Sequence, residues 1–449
     1  MPELRELAQD IVRRALQGGA TAADAIVREG DEFSTVVRLG EVETLKQASS
    51  RAMGVRVFFG RRAGSTYSTD FSAEGLQQML DGALALARVT SEDPHAGLPD
   101  PAELGQLGAD LDLYYPDVFS LPTEERIAWA RRAEKASLDA DPRLTNSEGA
   151  GFSASTGHMV LANSLGFSGE YRRSFCAVSA VPVAQAPDGS MQRDWWESVA
   201  RSLARLESPE AVGRKAAERT LRRLGARKIK SARVPIVFDS ITARALLDHV
   251  VDAVNGDAIY RGASYLAGKL GQKIAGDNIT IVDDGVMPGG FGTSPFDGEG
   301  VPSRRTVIFD RGVLASYLLN SYTARKLGLK TTGNAARGIT GNPGIGCGNF
   351  FLQPGRRTPA EIIRDVDEGL YVIDFLGSGM NLVTGDFSRG ATGIWISKGE
   401  LAYPVEEITV AGNFGEMLRN VVEIGSDLEF RGSVACPTIR IDGMTIAGE

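Results

Sequence analysis

The sequence has little cysteine and no long apolar segment. Its 449 residues include only three cysteines, Cys176, Cys347 and Cys436, which are far apart and form no C-x-x-C pair. No disulfide framework can be derived from them, so a reducing compartment is expected. No run of 18 apolar residues occurs, and the first 20 residues lack the apolar region of a signal peptide. These absences predict a cytoplasmic protein with no membrane partner.

The sequence also lacks an excess of positive charge. The chain carries 49 Lys and Arg against 57 Asp and Glu, a formal net charge of −8. Binding to nucleic acid without specificity depends on clustered cations. The charge balance therefore argues against a nucleic-acid partner.

Several familiar catalytic motifs are missing. The sequence contains neither G-x-x-x-x-G-K-[ST] nor G-x-S-x-G. The glycine-rich segment 341–349 lacks the G-x-G-x-x-G spacing and is interpreted as a tight loop. A serine triad needs a histidine base, but His95 lies in a proline-rich loop and His158 in a predicted strand. Neither has a catalytic partner nearby in sequence, so both are interpreted as structural.

Length and hydrophobic pattern predict two α+β domains. A chain of 449 residues exceeds one ordinary core. A basic helix followed by the polar segment ARKIKSAR places the boundary near residue 225, which gives an N-terminal domain, 1–225, of mixed helices and strands. The C-terminal domain, 226–449, is rich in strands and glycine. Strands outnumber helices and do not alternate regularly with them, which favours α+β over a doubly wound sheet.

The segment 245–262, ALLDHVVDAVNGDAIYRG, is the main candidate for a site. It belongs to a predicted helix over 242–255, where Asp248, His249 and Asp252 can crowd one side. Two carboxylates and one imidazole suit iron or manganese, whereas zinc needs at least three good protein ligands. The alternative is a polar helix face on which an aspartate or a backbone group satisfies His249. The sequence pattern leaves both interpretations open.

Six segments, in order, resemble the TldD/PmbA family, which was formerly described as modulators of DNA gyrase and is now regarded as metallopeptidases. Together they cover nearly the whole chain, and the resemblance agrees with two α+β domains in a cytoplasmic protein. The segments are 53–70 (MGVRVFFGRRAGSTYSTD), 163–175 (NSLGFSGEYRRSF), 294–335 (beginning SPFDGEGVPSRR), 358–372 (TPAEIIRDVDEGLYV), 385–400 (GDFSRGATGIWISKGE) and 412–430 (GNFGEMLRNVVEIGSDLEF).

The resemblance also implies which kind of member this is. The TldD kind carries H-E-x-x-x-H on the helix after the first C-terminal strand, plus a cysteine ligand, and its glutamate acts on a zinc-bound water. The PmbA kind, also called TldE, lacks that set. Alignment on NGDAIYRG places Leu247, Asp248 and Asp252 at the His, Glu and His positions. Alignment on GSVACPTIRIDG places Arg431 at the cysteine, with Cys436 a few residues away. A PmbA/TldE-type chain with no catalytic residue, metal or cofactor of its own is therefore expected.

The resemblance implies partners as well. A TldD-like H-E-x-x-x-H homologue would supply zinc in a heterodimer that processes unfolded peptides, which are held as extended strands. Without that partner, the chain is expected to form a homodimer through the equivalent surface. Two alternatives remain. One is a self-sufficient metal-dependent hydrolase that uses Asp248, His249 and Asp252, and the other is a non-proteolytic regulator that binds a protein such as gyrase.

Overall fold

The computed structural model describes residues 3–377 and 379–449. The helices in these ranges are α1 (Leu4–Gln17), α2 (Ala73–Val89), α3 (Thr123–Leu138), α4 (Pro209–Leu221), α5 (Ser240–Ala253), α6 (Gly256–Tyr260), α7 (Ser321–Leu327), α8 (Pro359–Arg364) and α9 (Phe414–Arg419). Short 3₁₀ turns lie at Pro101–Glu103, Pro116–Phe119 and Leu203–Arg205. None of the helices in the described ranges is long and apolar enough to cross a membrane.

Strands make up the larger part of the regular structure. They are β1 (Ala22–Arg38), β2 (Glu41–Phe59), β3 (Arg62–Ser68), β4 (Leu144–Asn163), β5 (Ser168–Gln185), β6 (Met191–Arg193), β7 (Trp196–Ala200), β8 (Ala232–Phe238), β9 (Ile281–Asp284), β10 (Arg305–Asp310), β11 (Val313–Leu314), β12 (Ala335–Ala336), β13 (Gly344–Ile345), β14 (Asn349–Leu352), β15 (Glu368–Leu376), β16 (Asp386–Ser397), β17 (Glu400–Asn413), β18 (Val421–Ile424), β19 (Val434–Ala435) and β20 (Ile439–Ala447). Strands and helices do not alternate regularly, which confirms the predicted α+β class.

The first half of the chain builds one antiparallel sheet with strand order β3-β2-β1-β4-β5-β6, and β7 also pairs with β5. Helices α1 and α2 cover an apolar patch that includes Val27 and Val55 near one end of the long strands. Helix α3 covers a second patch around Phe33 and Phe152. Alternate residues of the strands form these patches because side chains on a strand point to opposite faces in turn.

The second half contains a six-stranded sheet, β17-β16-β15-β8-β20-β18, in which β17 also pairs with β20. That extra pairing joins β17, β16, β15, β8 and β20 into a closed ring, so these strands have no open edge between them. A five-stranded sheet, β11-β10-β9-β14-β19, lies beside it. The main apolar core contains residues from both sheets and from α5. This core therefore fixes the position of the helix that carries the candidate site.

Buried arginines join the two halves. Arg56 of β2 and Arg337, from the loop after β12, both place a guanidinium nitrogen 2.6 Å from a carboxylate oxygen of Asp24. The guanidinium of Arg201 donates to the carbonyls of Gly289 and Gly290, at 3.0 and 2.6 Å. The contacts of Arg337 with Asp24 and of Arg201 with Gly289 and Gly290 therefore cross between the halves and hold them together.

Candidate functional site

Helix α5 begins at a buried cap. The carboxylate of Asp239 accepts a hydrogen bond from the backbone N–H of Thr242 at 2.8 Å, which satisfies one of the free donors of the first turn. Asp239 also lies 3.8 Å from a guanidinium nitrogen of Arg219 on α4. Burial raises the pKa of Asp239, and Arg219 opposes that shift. A residue from the first half of the chain therefore contacts the cap of the helix predicted to carry the site.

The face of α5 at Leu247 points into the core. Leu247 is 4% exposed and lines a small apolar void of about 30 Å³ together with Leu352, Cys436 and Ile439. Position 252 lies five residues further on, about 140° around an α-helix. Asp252 is accordingly exposed. Of the two positions that the resemblance aligns with the histidines of the TldD kind, one is therefore buried and the other is exposed.

Asp248 lies on the accessible side of α5. Its carboxylate is 3.9 Å from the guanidinium of Arg244 one turn earlier, and both side chains are 45% exposed. Burial raises the pKa of Asp248, and Arg244 opposes the shift. Asp252, one turn later, adds a second carboxylate to this side. Position 248, which the resemblance aligns with a catalytic glutamate, thus carries a carboxylate in a loose ion pair.

The side chain of His249 lies neither with Leu247 in the apolar void nor beside the Arg244 that pairs with Asp248. Its ring meets Phe387 and Phe414 edge to face, with ring centres 6.2 and 6.0 Å away. The Nε2 atom is buried and has no hydrogen-bond partner among the described residues, so the expected bond to an aspartate or a backbone group is absent at this atom. Burial lowers the pKa of His249, and Arg389 lowers it further. The imidazole of His249 therefore packs on aromatic rings, in a setting that disfavours its charged form.

These orientations decide what the three residues can do together. Within residues 3–377 and 379–449, no group of three or more His, Cys, Asp or Glu side chains is arranged to hold a metal ion. The imidazole of His249 packs against the phenyl rings of Phe387 and Phe414. The charges of Asp248 and Asp252 still act on His249, and they partly oppose the lowering of its pKa.

Arg431 contacts residues of both halves of the chain. Its guanidinium carbon lies 3.6 Å from the centre of the Trp196 ring, and its nitrogens donate to the carbonyl of Glu197 and pair with Glu429 at 2.9 Å. Burial raises the pKa of Glu197, and the charges of Arg431 and Arg244 oppose the shift. Arg431 and the outer face of α5 therefore border the same acidic residue of β7.

Sequence reasoning did not find Trp196 or Glu197. They belong to β7, far from α5 and Arg431 in the chain, and they match no local motif. The one signal available was composition: Trp195 and Trp196 stand together in a chain that has four tryptophans in all. That pair marks a packing site, but nothing in its spacing identifies Arg431 as the contact.

Comparisons with known proteins identify relatives along the chain. Models of the PmbA/TldA metallopeptidase match in three parts: domain 1 at residues 23–87, the central domain at 116–224 and the C-terminal domain at 231–448. The metalloprotease PmbA of Escherichia coli O157:H7 is 38% identical over 448 residues, which are 99% of this chain and 97% of the relative. The metalloprotease PmbA homologue of Haemophilus influenzae is 32% identical over 99% of this chain and 96% of its own.

Two solved structures match the fold of this chain over nearly its full length. A crystal structure from Bacteroides thetaiotaomicron, described as a proposed modulator of DNA gyrase, has a TM-score of 0.93 at 28% identity and covers 100% of both chains. TldE from Thermococcus kodakarensis has a TM-score of 0.86 at 22% identity, with 98% of this chain and 99% of that chain covered. At 22% identity, the likeness to TldE supports a shared fold and nothing further.

Proposed function

This chain belongs to the PmbA/TldD family of metallopeptidases, and from that premise we propose that it is the PmbA/TldE-type subunit of a two-chain peptidase. In this proposal a TldD-like homologue with an H-E-x-x-x-H motif supplies the zinc ion and the general base. The substrate is an unfolded peptide, and the complex works in the cytoplasm. The likeness to the Escherichia coli metalloprotease PmbA over 99% of this chain supports the peptidase setting.

One observation carries the subunit assignment. Leu247, at the position aligned with the first histidine of the TldD kind, has no ligand atom and is buried against the core. Arg431, at the position aligned with the cysteine, carries only N–H donor groups and stacks its guanidinium on Trp196. Asp248 and Asp252 are the only oxygen donors left among the four positions. This set does not fit zinc, which needs at least three nitrogen, sulfur or oxygen ligands around it.

In this proposal the role of this chain is to bind the unfolded peptide and to help enclose it. Strand addition satisfies the backbone of an unfolded peptide without reading much of its sequence, which suits a processing enzyme. A partner of the same fold would pair through an equivalent surface and complete the chamber around the peptide. The chemistry would then take place on the partner's helix, while the α5 of this chain keeps its packing and lacks the ligands.

Metal analysis and a reconstitution assay test the proposal. The purified chain should hold no stoichiometric zinc and should not cleave an unfolded peptide. Mixing it with the TldD-like homologue from the same organism should produce cleavage that a chelator abolishes. Asp252→Ala serves as the matched variant, because the exposed Asp252 has no assigned role and the mixture should keep its activity.

Two outcomes would contradict the subunit assignment. One is about one zinc per chain that disappears when His249 is replaced by alanine. The other is chelator-sensitive cleavage by this chain in a sample proven free of its partner. Either result would instead favour the self-sufficient hydrolase built on Asp248, His249 and Asp252.

A further inference from the structure

A cleft of about 420 Å³ lies between the two halves of the chain. The first half contributes the turn between β2 and β3 and the loop after α2, and the second half contributes α6, α7 and residues 342–345. Neither α5 nor Arg431 is among the described residues that line it. The cleft is therefore separate from the candidate site, and its volume is in the range of pockets that hold small organic molecules.

Glu299 is the buried acidic group of this cleft. It is 4% exposed, and its carboxylate accepts a hydrogen bond from the backbone N–H of Ser321 at 2.9 Å. In the part of the chain that the structure describes, it forms no ion pair. Burial raises the pKa of Asp297 to about 7, and the negative charge of Glu299 adds to that shift. A carboxylate that is buried without a cation and has acceptor capacity to spare favours a cationic ligand group.

Arg61 and Arg325 form the basic side of the cleft, and both bind the same loop. Arg61 donates to the carbonyl of Ala96 at 2.6 Å, and Arg325 donates to three carbonyls within residues 95–98 at 2.8, 3.1 and 3.1 Å. Burial lowers the pKa of Arg325, the charge of Glu299 opposes the shift, and the charge of Arg61 adds to it. Two neighbouring cations held by neutral carbonyls favour an anionic ligand group, since hydrogen bonds between ions are the stronger kind.

The other charged side chains of the lining already have partners of opposite charge. Arg56 pairs with Asp24 at 2.6 Å, Asp257 with Arg261 at 2.9 Å, and Asp93 with Lys326 at 3.8 Å. Among the described residues that line the cleft, the charges left without such a partner are one carboxylate, Glu299, and two guanidinium groups, Arg61 and Arg325.

We propose that this cleft binds a small zwitterion of the class of free amino acids and dipeptides. Its ammonium group meets the carboxylate of Glu299, and its carboxylate meets the guanidinium groups of Arg61 and Arg325. A simple amine would leave the two arginines without an anion, and a simple carboxylate would leave Glu299 without a cation. A ligand that carries both charges satisfies both ends of the cleft.

The binding rests on the cleft alone and goes beyond the proposed function. Only the further step, that the ligand is a product of peptide cleavage, rests on the peptidase assignment. The zwitterion site and the subunit assignment can therefore fail separately.

Calorimetric titration with alanine and with alanyl-alanine tests the site, because both carry the two charges and only small apolar side chains. The full chain should bind at least one of them, and comparison of the two distinguishes a free amino acid from a dipeptide as the ligand. The N-acetyl and the C-terminal amide forms of the better probe each lack one charge. Each should bind about tenfold more weakly or worse.

Variants assign each charge to its end of the cleft. Glu299→Gln keeps an acceptor for the N–H of Ser321, and it should weaken the zwitterion about tenfold but leave the affinity of the N-acetyl form unchanged. Arg61→Gln should weaken the zwitterion and leave the amide form unchanged. Arg62→Gln is the matched control, since Arg62 is exposed, lies outside the lining and pairs with Glu92 at 3.4 Å. Circular dichroism of each variant establishes that it is folded.

The outcomes separate the two proposals. Binding of neither probe at millimolar concentration overturns the zwitterion site, as does equal binding of the capped and uncapped forms. A loss for Arg62→Gln as large as that for Arg61→Gln also overturns it. Each of these results leaves the peptidase subunit assignment untouched, whereas cleavage by the isolated chain overturns that assignment alone.

Discussion

Two aspartates, one in each half of the chain, are almost equally buried but electrostatically opposite. Asp24 on β1 is 3% exposed and Asp283 on β9 is 1% exposed. Burial alone would raise the pKa of Asp24, but Arg337 and Arg56 outweigh it and hold that pKa below its usual value. Burial raises the pKa of Asp283 to about 6, and the hydrogen bond from Asn334 only reduces that effect.

The comparison shows that partners, rather than depth, decide whether a buried carboxylate is charged. Asp24 lies where the two halves meet and receives a guanidinium from each. The side-chain amide of Asn334 donates to Asp283 at 2.7 Å and the backbone of Gly348 also acts on it, but both donors are neutral. Ion pairing is thus concentrated at the contact between the halves, while the interior near the candidate site carries an unpaired carboxylate.

The largest expected effect is at Asp24. Replacing Asp24 by asparagine leaves Arg56 and Arg337 buried without an anion, and we expect a loss of about 3–5 kcal/mol in the free energy of unfolding at pH 7. Because the folded pKa of Asp24 is lowered, its contribution is present above its unfolded pKa and lost as the pH falls through the folded value. Urea denaturation at pH 7 measures the loss. A change below about 1 kcal/mol would show that the buried arginines find other partners.

A buried polar group without a partner can also be introduced into the core. Leu247→His replaces an apolar side chain that is 4% exposed with an imidazole that has no acceptor nearby in the apolar void. We expect a loss of about 3 kcal/mol, from lost apolar burial and from an unsatisfied polar group. Asp252→His, on the exposed face, should change stability by less than about 0.5 kcal/mol. Equal effects in denaturant titrations would contradict the description of the two faces.

The third prediction concerns pH and Asp283. Because its folded pKa is raised, Asp283 contributes stability below its unfolded pKa of about 3.8 and loses that contribution as the pH rises to about 6. Asp283→Asn removes this titration, so the variant should gain about 2 kcal/mol relative to the parent chain between pH 4 and pH 6.5. Denaturation of both proteins across that range gives the difference curve. A difference that does not vary with pH would mean that Asp283 stays charged.

The smallest effect is expected at Asp248. Its carboxylate is 45% exposed and 3.9 Å from Arg244, so Asp248→Asn should change the free energy of unfolding by less than about 0.5 kcal/mol. The same urea assay measures it beside Asp24→Asn. A loss of unfolding free energy as large as that for Asp24→Asn would contradict the expectation that an exposed aspartate contributes less than a buried one.

Local pattern in the sequence predicts local structure well. The helix predicted over 242–255 is observed at Ser240–Ala253, because its apolar spacing and the Asp239 cap are both local signals. Ser72 caps α2, and a serine directly before an apolar helical repeat is a local signal of the same kind. The α+β class and the family follow from the order of many such segments along the chain. It is harder to predict which residues of α5 face the core. The directions in which the side chains of Leu247 and Asp252 point depend on the geometry of the helix.

Contacts between distant segments were decided by the tertiary structure alone. The sequence by itself predicted which segments are helices or strands, and its resemblance to the family aligned Leu247 and Arg431 with metal-ligand positions of the TldD kind. Only the folded chain places Trp196 under Arg431, Arg337 beside Asp24 and the rings of Phe387 and Phe414 around His249. The physical reason is that periodicity and caps act within a few residues, whereas these partners are brought together by strand pairing and core packing between the halves.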